Sequence, residues 1–574
     1  MKVPLLPGLM GLCLIASPLV ADDWPAYRAD GKRSAVSAEN IPAELFANWT
    51  FQPQHAPRTA WPLPGEEAPR MHTDRAYHAV VTGTTLIFGN NVDNHLHALD
   101  TRTGKIKWSF ATEGSVRFAP MIDSGRVYFG SDDGNVYCVD AAKGTQIWKY
   151  RPGPSGERII GNGRMISLWP IRTGVLIENG ILYTTAGIFP YEGLYIAAVN
   201  ANTGKPIWMN DTAGDQSWGL QYGGMSPQGY LVASDDTLFV PTGRSMPAAF
   251  NKRTGKFKRF LSGGGKIGGS WAMMDGNKLY AGIGNQGADT KIEFDGSSGS
   301  SRGDQFARYP SIDMVLTKDI AYIATQKALY AIDREVNRKA NSLVPVLEKE
   351  SSLLAKSIPK IRSRQKEIEG SPAKFRETAI KATKAAKVAA AELAAVMKNK
   401  DATDVQKAVT LKKNNDALAA KITADANVAV AIKEVKDLAV RLSAAVTRIT
   451  VIGKEIAELN AARVKWFTLR EGLGPLALAG GTLFAGGKGF VISLESDSGN
   501  LVTDHVIKGH VVSLAVADGR LFASTDDGAI HCLAPRALAG APLVIKPAAV
   551  STKTPASLEA SVKAVLDMAK INRG

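Results

Sequence analysis

Leu96-His97-Ala98-Leu99-Asp100-Thr101-Arg102-Thr103-Gly104-Lys105-Ile106-Lys107-Trp108 is a phrase the chain repeats. The next copy runs from Val136 to Trp148, and a third ends Val199-Asn200-Ala201-Asn202-Thr203-Gly204-Lys205-Pro206-Ile207-Trp208. The first two tryptophans are 40 residues apart. Residues before the Asp alternate apolar and polar, as in a half-buried strand. The Asp-x-x-Thr-Gly-Lys step is turn chemistry: Asp or Asn bonds its own backbone, and Gly takes positive φ without steric cost. The strand after the turn carries Trp, an aromatic placed to cover one sheet against its neighbour. A period near 40 with four strands per copy predicts a β-propeller.

Working outward, each phrase follows a second strand. These are Leu86-Ile87-Phe88-Gly89, Val127-Tyr128-Phe129-Gly130, Ile181-Leu182-Tyr183 and Leu238-Phe239-Val240. Four more follow: Leu279-Tyr280-Ala281-Gly282, Ile320-Ala321-Tyr322-Ile323, Leu483-Phe484-Ala485-Gly486 and Leu521-Phe522-Ala523-Ser524. That predicts eight blades. The last copy, Ile530-His531-Cys532-Leu533, lacks an outer strand, and an orphan outer strand, Ala47-Asn48-Trp49-Thr50-Phe51, sits near the N-terminus. It is expected to complete blade eight and close the ring, hiding free sheet edges. The fifth blade, with its third strand near Ile292-Glu293-Phe294, lacks the phrase.

These phrases resemble the repeat of pyrroloquinoline-quinone-like propellers, the superfamily of quinoprotein alcohol dehydrogenases and of an outer-membrane assembly propeller that binds no quinone. Asp23-Trp24-Pro25-Ala26-Tyr27-Arg28 is similar to the N-terminal Trp-Pro-x-x-Arg of secreted members. The resemblance covers residues 22–333 and 465–535. It implies the fold; one fold hosts many activities. By resemblance, an alcohol-oxidising quinoprotein requires an adjacent Cys-Cys pair, calcium-ligating acids and amides, and an Asp base. The vicinal cysteines are absent, and no calcium set can be placed residue by residue. Pyrroloquinoline quinone with calcium is therefore the alternative cofactor, not the expected one. No Ser-His-Asp spacing or nucleophile elbow stands out.

Residues 1–21 hold one Lys and an apolar run through Leu12-Cys13-Leu14-Ile15-Ala16, the pattern of a secretory signal peptide. No other run approaches the ~20 apolar residues of a membrane span, so a periplasmic or secreted location is expected. Cys138 and Cys532 fall at the same strand position in blades two and eight, too far apart to pair, and read as buried small hydrophobes.

The sixth copy breaks after Ala331-Ile332-Asp333-Arg334, and its outer strand resumes at Val464-Lys465-Trp466-Phe467. Residues 334–464 are thus an insertion in a turn, where extra length costs least: each doubling of a loop adds about 0.6 kcal/mol. The segment is Ala- and Lys-rich, with Phe375 its one aromatic residue. Val435, Leu442, Ile449 and Ile456 repeat every seven residues, as do Leu438, Ala445, Ile452 and Leu459. A coiled-coil hairpin is expected, turning at Asn399-Lys400-Asp401 with Asp401 as N-cap. Pro345, Pro359 and Gly370-Ser371-Pro372 are expected to kink or break the outgoing arm. The overall expectation is an all-β, eight-bladed propeller with a long α-helical coiled-coil hairpin in blade six. A tail (536–574) with a short helix over 558–569 follows.

Residues 334–463 carry 26 Lys and Arg against 15 Asp and Glu, so most of the +15 net charge of the chain lies there. A basic arm points to an envelope protein or another anionic partner. Nucleic acid is disfavoured by export and by the lack of interleaved aromatics.

Overgrown loops mark the other candidate. Arg158, Asn162, Arg164, Trp169 and Arg172 lie between blades two and three; Asp211, Trp218 and Gln228 lie between three and four; Arg244 lies in four. They predict a polar-aromatic pocket at the loop mouth, with arginines for an anion and Trp169 or Trp218 to stack a planar group. The competing expectation is that these arginines bond loop carbonyls. His55, His72, His78 and His95 share this mouth without metal-ligand spacing. The expected function is an exported binding or scaffold propeller with a basic arm. The alternative is a quinone-dependent oxidoreductase.

Overall fold

A computed structural model describes residues 23–61, 73–161, 163–216, 224–243, 245–262, 269–282, 291–301, 305–306 and 308–547. Residues 1–21 and 558–569 lie outside these. Two compact units divide the chain: Met1–Asp333 with Lys465–Gly574, and Arg334–Val464.

The first unit is built of small antiparallel sheets. Ala79–Thr82, Thr85–Gly89, His95–Asp100 and Ile106–Ala111 form one four-stranded meander; 121–150, 176–210, 232–260 and 311–469 supply the others of this size. Trp271–Asp275, Lys278–Gly282 and Lys291–Asp295 form a three-stranded sheet. An eight-stranded sheet contains Leu501–Ala517, a strand long enough to pair with Thr482–Glu495 at one end and Arg520–Thr525 at the other. In the same sheet Phe46–Phe51 pairs antiparallel with Ile530–Ala534, joining the beginning of the chain to its last repeat.

The repeated phrase explains the sheet contacts. The Asp100 carboxylate accepts from the Arg102 and Thr103 amides at 3.1 and 2.9 Å, and Gly104 closes the turn at φ +68°. Against that glycine lies the indole of Trp49 from the neighbouring sheet, with Nε1 donating to Thr101 O at 2.9 Å. Trp108, Trp148, Trp208 and Trp466 repeat the contact on Gly144, Gly204, Gly255 and Gly499. Their indoles donate to Ala141, Ala201, Lys252 and Ser496 carbonyls at 2.9–3.1 Å. Only glycine leaves room, because a Cβ would stand 2.3–2.8 Å from the ring. Arg259 takes this position against Gly299.

The N-terminal segment threads the middle of the unit. Trp24 pairs with Val81, and Pro25 accepts from the Ile122 amide. The Arg33 guanidinium donates to Val175 O and Leu231 O at 3.3 and 3.1 Å. Lys32 O accepts from Met274 N, and Arg28 ion-pairs with Asp313 and donates to Met314 O. Ala35 O takes the Leu478 amide, and the Glu39 carboxylate takes Gly519 N. The turns that reach these partners hold Arg28, Ala29, Arg33 and Ala35 at φ +56° to +73°.

The second unit is helical: α1 (Arg334–Ile368), α2 (Ser371–Lys398) and α3 (Asp404–Ala462). Cross-helix pairs Glu392–Lys413, Arg364–Glu434, Glu350–Arg448 and Asn337–Arg463 run in opposite orders, so α3 is antiparallel to α2 and then α1. Along α3, Ala424, Ala431, Leu438, Ala445 and Ile452 are buried at intervals of seven. Pro345 and Pro359 lie inside α1 and do not end it; the outgoing arm breaks at Glu369 and Gly370, at the expected Gly370-Ser371-Pro372 step. One expectation is corrected. The cap of α3 is Thr403, not Asp401: its hydroxyl takes the Gln406 amide while the Gln406 side chain takes the Thr403 amide. Among the described residues no helix is long and apolar enough to cross a membrane.

Candidate functional site

Of the nine predicted pocket residues, Asn162, Trp218 and Arg244 lie outside the described residues, as does His72. The described arginines are engaged. Arg158 pairs with Glu113. Arg164, on a strand over Arg164–Ser167, donates to Asn91 O at 2.9 Å and Val92 O at 2.8 Å, and to Asn94 and Ser115 side chains. Arg172 is buried and donates Nε to Asp132 at 2.7 Å. Asp132 also accepts from Arg117 at 2.7 Å, and Arg117 reaches Asp74 at 3.1 Å. Burial pushes the Asp74 carboxyl up, while Arg117, its Coulombic partner, opposes the rise. This four-residue network ties the first two sheets to their neighbours with every charge matched, as buried charges require.

The aromatic and amide candidates are likewise committed. Trp169 is 7% exposed, donates Nε1 to Glu192 O at 2.6 Å and meets Tyr195 edge-on. Gln228, 1% exposed, accepts from Trp61 Nε1 and donates to Ser226. Asp211 is exposed beside a 3-10 turn over Ala213–Asp215. His95 and His97 stack 5.5 Å apart over Asp93, which both rings contact. Among the described residues no cluster of His, Cys, Asp and Glu is arranged to hold a metal. Cys138 and Cys532 are buried free thiols, and burial pushes Cys138 up to about 11.

A cavity of about 330 Å³ lies elsewhere, among the first strands of the fifth to eighth repeats and the N-terminal segment. Tyr27, Arg75, His78, Trp271, Lys291 and His510 line it, and none of the nine predicted residues does. Lys291 opens its strand 5% exposed, donates Nζ to Ser311 O at 3.0 Å and stands 5.0 Å from the centre of the Trp271 ring. Arg28 approaches the same ring at 5.4 Å. Tyr27 stacks on Tyr230 at 3.9 Å, closing the opposite wall, and burial pushes its hydroxyl up to about 12. Burial pushes His510 and Arg75 down. Among the described residues the one lining carboxylate is Asp313, already bound by Arg28 and by the Leu476 amide at 2.9 Å. The other charged residues described in the lining are basic, which suits an anion with a flat apolar part. The sequence signal for this site is a Trp opening the first strand of the fifth repeat, Trp271–Asp275, and a Lys opening its third, Lys291–Asp295.

Residues 49–187 match the family model described as outer membrane protein assembly factor BamB. A tetrathionate hydrolase of Acidithiobacillus ferrooxidans is 28% identical over 34% of this chain and 38% of its own length. The quinohemoprotein alcohol dehydrogenase ADH-IIG of Pseudomonas putida is 25% identical over 48% of this chain and 37% of its own. The chain thus spans under two-fifths of these relatives. The crystal structure of quinohemoprotein alcohol dehydrogenase from Comamonas testosteroni superposes with a TM-score of 0.50 over 94% of this chain and 84% of that one, at 13% identity. It shows the shared propeller fold.

Proposed function

We propose that this pyrroloquinoline-quinone-like repeat propeller is an exported, eight-bladed binding or scaffold protein of the cell envelope, periplasmic or secreted. Its inserted coiled-coil hairpin is the arm that contacts an anionic partner, an envelope protein first among them. Eight blades are supported by the N-terminal segment, whose partners Val81, Ile122, Val175, Leu231, Met274, Met314, Leu478 and Gly519 fall in successive repeats. The coiled coil is supported by the seven-residue burial interval of α3 and its antiparallel ion pairs.

The carrying observation is charge. In the α2–α3 groove, Arg376, Lys384 and Lys387 stand with Asp425 around Ala379, Ile380 and Val428, and among the described residues none of the three ion-pairs with an acid. The nearby acids Glu377 and Asp425 are taken by Lys381 and Lys421. Replacing 336–463 by a short Gly-rich turn leaves the propeller folded and abolishes capture of the partner from an envelope extract. Unchanged capture removes the arm from the account.

The cavity favours one second reading, a quinone-dependent oxidoreductase. Lys291, Arg75 and Trp271 suit a planar polyanion. The described residues do not fit its metal half: calcium takes six to eight oxygens, and Asp313 is spent on Arg28. Melting with and without pyrroloquinoline quinone and calcium separates the readings: a calcium-dependent rise with dye-linked activity favours the oxidoreductase.

A further inference from the structure

Three residues that no sequence spacing connects meet on the first four-stranded sheet. His97, on His95–Asp100, lies directly opposite Ser109, on Ile106–Ala111. The Ser109 hydroxyl stands 2.8 Å from His97 Nδ1, and His97 Nε2 stands 2.8 Å from Asp93 Oδ2. We propose that Ser109 is a nucleophile with His97 as its general base and Asp93 as the positioning carboxylate, giving the chain a serine-esterase-type site for small carboxylic esters.

The hydrogen bonds fix the tautomer. An ionised carboxylate only accepts, so His97 Nε2 carries the proton toward Asp93. Nδ1 is then the bare lone pair, and Ser109 must donate to it. That is the arrangement of an activated nucleophile: hydroxyl to base, base to orienting acid. Asp93 is held independently, accepting from Asn90 Nδ2 and from the His95 amide, each at 2.9 Å. Burial alone would raise the Asp93 carboxyl, but hydrogen bonds from His95 and His97 outweigh it and bring it to about 2. The His97 ring is fixed between Phe88, centred 5.4 Å away, and His95, at 5.5 Å and 12° from parallel. His97 is 8% exposed while Ser109 is exposed, so the base is shielded and the nucleophile is open.

The chemistry balances. Ser109 Oγ bonds to the ester carbonyl carbon as its proton passes to His97 Nδ1. The carbon–alkoxy bond breaks, and the alcohol leaves with that proton. Water then attacks the acyl-serine, giving its proton to His97, which returns one to Ser109 as the acid departs. The sum is ester plus water to acid plus alcohol. The open position of Ser109 implies little selectivity for the acyl group and access for small esters only by diffusion.

The test treats the full chain at pH 8 with a fluorophosphonate probe and maps the label by peptide mass spectrometry, with p-nitrophenyl acetate hydrolysis measured alongside. The expected result is label on Ser109. Ser109→Ala removes it, and Asp93→Asn, whose amide can donate to Nε2 and move the ring proton to Nδ1, lowers labelling and hydrolysis about ten-fold or more. Tryptophan-fluorescence melting of both variants verifies the fold. Asp93→Asn that still unfolds in one cooperative transition but labels at the wild-type rate overturns the proposal, as does absence of label from Ser109.

Discussion

The Trp49 indole packs on Gly104, and its Nε1 holds Thr101 O at 2.9 Å, so a strand from the start of the chain is clasped to the turn of the first full repeat. The same strand pairs with Ile530–Ala534. One residue therefore couples the two ends of the first unit, and this clasp recurs at Trp108, Trp148, Trp208 and Trp466.

Gly104→Ala tests the clasp against backbone strain. Gly104 and Gly125 both adopt φ near +70°, but a Cβ at Gly104 would lie 2.8 Å from the Trp49 ring, whereas nothing lies within 4 Å at Gly125. Gly125→Ala should cost only the left-handed penalty, about 1–2 kcal/mol. Gly104→Ala should cost about 2 kcal/mol more, from overpacking. All ten tryptophans lie outside 334–464, so fluorescence melting reports the propeller unit alone.

Arg33 is the second assembly point. It is 1% exposed and bonds carbonyls of two different sheets, and burial lowers its guanidinium to about 10. Arg33→Met removes the charge but strands Val175 O and Leu231 O. The expected loss is about 2–5 kcal/mol, read by urea unfolding followed through tryptophan fluorescence.

The helical unit should respond separately. Thr403→Ala breaks both halves of the capping box at α3 and should cost about 1 kcal/mol. The loss should appear in the far-ultraviolet helix signal and leave tryptophan-fluorescence melting unchanged.

Asp93 and His95 give a pH signature. The lowered Asp93 carboxyl contributes stability that is present above the unfolded value of about 3.9 and is lost as pH falls through about 2. His95 is raised, first by its hydrogen bond to Asp93, so its contribution is present below about 6.5 and lost as pH rises through its raised value. The gap in melting temperature between wild type and Asp93→Asn should be widest from about pH 4 to 6.5 and should close toward pH 2.

The sequence disclosed what is periodic. The repeated phrase placed all eight second strands inside observed strands, and the heptads placed Leu438, Ala445 and Ile452 in the helical seam. What it hid is what depends on assembly. The N-terminal thread has no period, and its positive-φ residues are Arg and Ala rather than Gly. The cavity gathers residues from Tyr27 to His510. The loop arginines left two readings open because an Arg that braces the loops and one that binds an anion look alike in sequence; Arg172 bonds Asp132 and Arg164 bonds Asn91 O. Ser109 and His97 meet only through strand register.

The central claim is that the basic arm, not the propeller, contacts the anionic partner. The most direct measurement titrates the full chain and the chain lacking 336–463 with poly-L-glutamate at low and high salt. The account predicts binding by the full chain that falls steeply with salt, and binding at least about ten-fold weaker without the arm. Equal binding by the two chains contradicts it.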